Sequence, residues 1–118
     1  MKRARPIHLN LLVIRQPLPA VVSFGHRVSG ALLFLAIPLF LLTLQSVLAG
    51  TLELVAGPLF RFALFVALAA YAFHFFAGLR FLLLDLHWGV ALGSARRAAT
   101  AVSVAAGITI ALLGVWLW

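Results

Sequence analysis

Hydrophobic residues in this chain come in long unbroken blocks, not in the alternating or one-sided patterns of a fold that faces water. Val28–Leu48 is an uncharged run of 21 residues, Phe62–Leu79 is a run of 18 between two arginines, and Ala98–Trp118 is a run of 21. A helix needs roughly 20 apolar residues to cross the hydrocarbon core of a bilayer, and each run is of that order. Only helices and closed barrels satisfy their backbone groups in lipid, and none of the runs alternates as a barrel strand would. The pattern therefore predicts an all-α membrane protein with three transmembrane helices, expected at 21–48, 59–84 and 98–118, after a short cytoplasmic N-terminal segment, residues 1–20. Pro38 falls inside the first span, where it has no N–H for the carbonyl of Phe34 and should kink the helix. The stretch from Pro6 to Pro17, with Leu9, Leu11, Leu12, Val13 and Ile14, is expected to lie along the membrane surface.

Composition sharpens this picture. The chain has 118 residues, enough for a single domain. It is 65% hydrophobic and only 9% charged, with a mean hydropathy of +1.19, whereas a soluble domain carries about a quarter charged residues. The net charge of +7 sets nine Lys and Arg against Glu53 and Asp85 alone. Those cations do not form one basic surface, which argues against nucleic-acid binding. Lys2, Arg3, Arg5 and Arg15 crowd the start, and Arg61, Arg80, Arg96 and Arg97 flank the apolar runs, as boundary residues do. The tail and the 85–97 loop are rich in Arg, whereas the 49–58 loop holds Glu53 and no cation. This places the N-terminus in the cytoplasm and the C-terminus, with Trp116 and Trp118 as interfacial anchors, on the opposite face. The basic start leads into Pro6, His8 and Asn10 and not into a clean apolar core, so a cleaved signal is not expected. Absence of cysteine excludes disulfides, thiolate metal sites and cysteine nucleophiles.

Ionisable groups inside a span are costly, at about 2.5–3.5 kcal/mol for a central Arg on insertion scales. Three stand out: His26, Arg27 and His74. In a helix Ser23, His26, Arg27 and Gly30 share one face, which gathers a hydroxyl, an imidazole, a guanidinium and a gap suited to an anionic or carbonyl-bearing ligand. The alternative is that Arg27 reaches for headgroups and His26 caps the helix start. His74 lies 11 residues before Asp85, too deep to reach water. Ala67, Ala70, Ala77 and Gly78 surround it on its face, leaving the backbone open either to something large and flat or to a neighbouring helix. An imidazole so placed could hydrogen-bond that helix or ligate haem iron. His8 and His87 lie outside the spans, so a second haem ligand would have to come from another polypeptide. Arg80 is expected to snorkel or to pair with Asp85, and Tyr71 to serve in packing.

Three blocks of residues resemble the large cytochrome b anchor subunit of succinate dehydrogenase, respiratory complex II. They are Arg5-Pro6 with Leu9 and Leu11, the run Ser23-Phe24-Gly25-His26-Arg27-Val28-Ser29-Gly30, and His74-Phe75-Phe76-Ala77-Gly78-Leu79-Arg80 continuing to Asp85. With three spans in matching order, the resemblance covers nearly the whole chain. It implies that His74 is the axial ligand of a b-type haem shared with a small membrane-anchor subunit, and that His26 and Arg27 meet the haem propionates. It implies further that Ser23 and Arg27 bind ubiquinone at its reduction site. The partners it implies are that small anchor, an iron–sulfur subunit, a flavoprotein subunit and membrane lipid, all at the inner membrane. Many relatives have a second histidine where this chain has Phe81, so any proton-handling role there is lost. Other readings stay open: a scaffold subunit without haem, the anchor of a fumarate reductase, or a small transporter subunit.

Overall fold

A computed structural model describes residues 14–51 and 57–118. The expected surface element from Pro6 lies largely outside the described residues, as does Glu53. Four helices follow in chain order: α1 Leu18–Leu35, α2 Ile37–Leu48, α3 Pro58–Asp85 and α4 Leu92–Leu117. The described residues contain no strand, and α1, α3 and α4 are each long and apolar enough to cross a membrane. The expected all-α architecture with three spans is the one observed.

The first span is broken where Pro38 dictates. Helix α1 ends at Leu35, Ala36 interrupts the helix, and Pro38 sits in the first turn of α2, where a missing N–H does least harm. The Ala36 N–H reaches the carbonyls of Leu32 at 2.9 Å and Leu33 at 3.1 Å, and Phe40 N–H resumes the ladder on Ala36 at 3.0 Å. At its start α1 takes in Leu18, Pro19 and Ala20, which the sequence reading gave to the tail. Helix α4 likewise begins at Leu92 and not near Ala98, so that Arg96 and Arg97 lie exposed in its second turn. Charges mark where hydrocarbon begins, and a helix is free to start beyond it.

Helices α2 and α3 end alike. After α2, Gly50 turns left-handed, with Gly50 N–H bonded to Val47 and Thr51 N–H to Ser46. After α3, His87 N–H bonds Leu84 at 2.9 Å and Trp88 N–H bonds Leu83 at 3.0 Å. Both closures satisfy carbonyls that the helix leaves open. The difference is that the second places His87, a residue with a Cβ, at φ 62°.

Helix α3 is the centre of the bundle, packed against both α1 and α4. Ala99, Val102 and Ala106 form one buried stripe of α4, and Ala70, Ala72 and Ala77 are the buried alanines of α3. Val22 of α1 joins Ala77, Ala99 and Val102 in a small core, with Phe73 and Phe76 packed on it. Small side chains let helix backbones approach, which is how spans associate when lipid is as apolar as leucine. Hydroxyls along the helices turn back on their own carbonyls, as Thr43 does to Leu39, Ser103 to Ala99 and Thr109 to Ala105. Larger apolar residues such as Phe34, Leu48, Leu59 and Val115 point outward.

The left-handed turn at His87 makes a prediction about stability. Replacing His87 with Gly should remove about 1 kcal/mol of backbone strain, and replacing it with Val should add to it. Thermal midpoints of the detergent-solubilised protein should then rank Gly above His above Val; equal midpoints would contradict this account of the turn.

Candidate functional site

The polar site forms where α1 meets α3. The imidazoles of His26 and His74 stack with centroids 4.0 Å apart and planes 13° from parallel. Nδ1 of His74 lies 3.0 Å from the backbone carbonyl oxygen of His26 and 3.1 Å from Ser29 Oγ. A carbonyl only accepts, so the proton of the His74 ring sits on Nδ1 and is donated to that oxygen and to the hydroxyl beside it. The Ser29 hydroxyl in turn donates to the same carbonyl at 2.9 Å. This leaves Nε2 of His74 with its lone pair and no hydrogen-bond partner among the described residues.

The close approach has a local cause. A Cβ on Gly30 would stand 3.0 Å from Cε1 of His74, and one on Gly78 would stand 3.6 Å from Nε2 of His26. Glycine at 30 is what admits the imidazole to the backbone of α1. The Phe81 ring also lies beside His26, with centroids 5.1 Å apart and planes tilted by 51°. Of the two uses open to the small residues on this face, Ala70 and Ala77 serve helix packing, and both are buried. Tyr71 is largely exposed and stacks on Phe75 with centroids 6.3 Å apart.

The expected polar face of α1 divides in two. His26 turns toward α3, and Gly30 lies under the His74 ring. Arg27 is exposed and Ser23 is half-buried at the rim, one turn apart, with no side-chain hydrogen bond among the described residues. His26 is the ninth residue of α1 and therefore does not cap it. Arg80 departs from expectation: it is 6% exposed and forms no ion pair with the exposed Asp85 among the described residues.

Ser29 is the residue sequence reasoning missed. It is 4% exposed and directly on His74, although its sequence context assigns it no role. Val22, Gly25 and Ser29 recur at i, i+3 and i+7, and that packing stripe was the available signal.

An imidazole whose Nδ1–H is held by a carbonyl, with Nε2 free, is oriented as metal-binding histidines are. His26, lying face to face with it, cannot bind the same metal from the opposite side. Among the described residues no three His, Cys, Asp or Glu side chains gather to hold a bare ion. One oriented imidazole instead suits a metal whose equatorial ligands are brought by its own macrocycle.

By sequence, the chain matches the family of succinate dehydrogenase/fumarate reductase transmembrane subunits over residues 1–114. It is 35% identical to the succinate dehydrogenase cytochrome b556 subunit of Coxiella burnetii, over all of both chains.

The role assigned to Gly30 is open to a double-mutant test. Gly30→Val should cost about 1–3 kcal/mol by crowding the imidazole, read as a lower thermal midpoint. In a His74→Ala background the same change should cost much less; an undiminished penalty would separate Gly30 from His74.

Proposed function

The chain belongs to the succinate dehydrogenase/fumarate reductase transmembrane subunit family, and from that premise we propose that it anchors a succinate:quinone oxidoreductase in the inner membrane, shares a b-type haem with a partner subunit and forms part of the ubiquinone-reduction site. The observation that carries this reading is the oriented imidazole of His74, with Nδ1–H committed to α1 and Nε2 open. Flavin chemistry at succinate and the iron–sulfur relay belong to soluble partner subunits, since this chain has no cysteine for a cluster.

Within the anchor, His74 would hold the haem iron through Nε2, together with a histidine of the small anchor subunit. Bound there, a haem provides a one-electron centre inside the membrane. The contacts of Nδ1 with the His26 carbonyl and Ser29 fix the ring's orientation and make Nε2 a stronger donor. His26 and Arg27 would hold the haem propionates. Ser23 and Arg27 sit one helical turn apart, about 6 Å along α1. The Ser23 hydroxyl donates to a quinone carbonyl, while the Arg27 guanidinium offsets negative charge as that oxygen is reduced. The exposure of Arg27 suits this role, because its partners would come from outside the chain. Clustering of cations at the N-terminal tail and at the α3–α4 end supports a cytoplasmic N-terminus, and the quinone site then faces the soluble subunits.

Four substitutions in the assembled complex test this reading. Arg27→Ala or Ser23→Ala should lower quinone reduction about 10- to 100-fold while succinate oxidation with an artificial soluble acceptor persists; parallel loss of both activities would count against a quinone role. His74→Ala should abolish the low-spin haem spectrum. Ser29→Ala should keep that spectrum but raise the haem midpoint potential, because a less polarised imidazole stabilises ferric iron less well.

A further inference from the structure

A second polar feature lies away from the histidines, between α3 and α4. A cavity of about 440 Å³ opens there, walled by Phe76, Leu79, Leu83, Val102 and Ala105 and bounded at one end by Trp88, Gly89 and Ser94. Arg80 lines it. This residue is 94% buried, and its Nε has no hydrogen-bond partner among the described residues. The guanidinium carbon is 5.4 Å from the centroid of the Phe81 ring, a contact that offsets part of the charge but accepts no hydrogen bond. Among the described residues no carboxylate lies within ion-pair distance of it. A buried cation without an anion is a high-cost arrangement in a membrane span, so the cavity needs a negative group.

The shape of the cavity narrows the choice. Its walls are aliphatic and aromatic along two spanning helices, and its polar members cluster at the end where α3 leaves the bilayer. Arg80 stands five residues before the end of α3, roughly 8 Å along the axis, which is headgroup depth. Trp88 is exposed at that same end, and Arg96 and Arg97 add positive charge on the neighbouring helix. Ser94 already donates its hydroxyl hydrogen to the Ala91 carbonyl at 2.7 Å, which leaves Arg80, the one cation among the lining residues, to meet an anion. An amphiphile with an anionic head and an alkyl tail satisfies both ends at once.

We propose that the α3–α4 cavity is a binding site for one anionic phospholipid, with its phosphate on Arg80 beside Trp88 and an acyl chain laid along Phe76, Val102 and Ala105. The occupant is separate from the quinone and haem sites at the contact of α1 with α3. The site requires only that the chain be embedded in a bilayer, whatever its redox role.

The test uses the protein purified with its native partner subunits and stripped of lipid in detergent. Thermal midpoints are then recorded in mixed micelles with dioleoylphosphatidylglycerol, with dioleoylphosphatidylcholine, or with inorganic phosphate alone. Dioleoylphosphatidylglycerol should raise the midpoint, and the other two should not. Arg80→Gln should weaken that response about five-fold in lipid concentration, the equivalent of one cation at the surface, and Arg80→Lys should restore part of it. Ala105→Leu fills the tail end without touching charge and should also blunt the response, which keeps the test alive if Arg80→Gln fails to assemble. Equal responses to the two lipids, an equal response to phosphate, or a wild-type response in both Arg80→Gln and Ala105→Leu would overturn the proposal. So would a cross-link from position 80 to an acidic residue of a partner subunit.

Discussion

One hydrogen bond, from His74 Nδ1–H on α3 to the carbonyl of His26 on α1, organises the rest of this molecule. In hydrocarbon an imidazole has no water to turn to, and a helix spends its own N–H groups internally. What a helix still offers is the second lone pair of a carbonyl oxygen, and that can be reached only when another helix comes very close. Glycine at 30 makes the approach possible, and Ser29 braces the contact by bonding both the ring nitrogen and the carbonyl. Packing and site chemistry are therefore the same event. Any change that separates α1 from α3 also releases the ring.

The same economy shapes the interface of α3 with α4. Alanines and one valine form the buried stripe, while most of the larger side chains, Leu79, Leu82, Val104 and Leu112 among them, are sent outward. An isolated bundle with that distribution has most of its apolar area facing lipid or other subunits. Burial within the chain is reserved for small groups and for the few polar ones, Ser29, Ser46 and Arg80. The membrane supplies the driving force that holds each helix in place, and small side chains only decide which helices touch.

Much of the fold could be read in the residues because lipid imposes so few options. Uncharged runs of sufficient length give the spans, and Pro38 marks the break in the first. His74 is conspicuous as an imidazole far from any boundary. The rest was hidden because it depends on pairs of helices. Residue periodicity placed Ser23, His26, Arg27 and Gly30 on one face, but only the angle between α1 and α3 decides that His26 turns inward and Arg27 outward. Ser29 was overlooked since a serine within a small-residue stripe looks like spacing. Arg80 was read as a boundary cation, and its burial follows from where α4 lies, which no local pattern records. The ends of α1 and α4 were set too far inward because charge reports the depth of the hydrocarbon and a helix may continue past it.

The interruption at Ala36 has a mechanical consequence. Helix α1 alone is about 27 Å long, close to the hydrocarbon thickness, and α2 adds 12 residues beyond it. A single rod of that combined length would have to lean steeply or bulge the bilayer around it. Divided at one residue, the two segments are able to adopt separate tilts. Variation in bilayer thickness can then be absorbed by the far segment, while the near segment keeps its grip on the imidazole undisturbed.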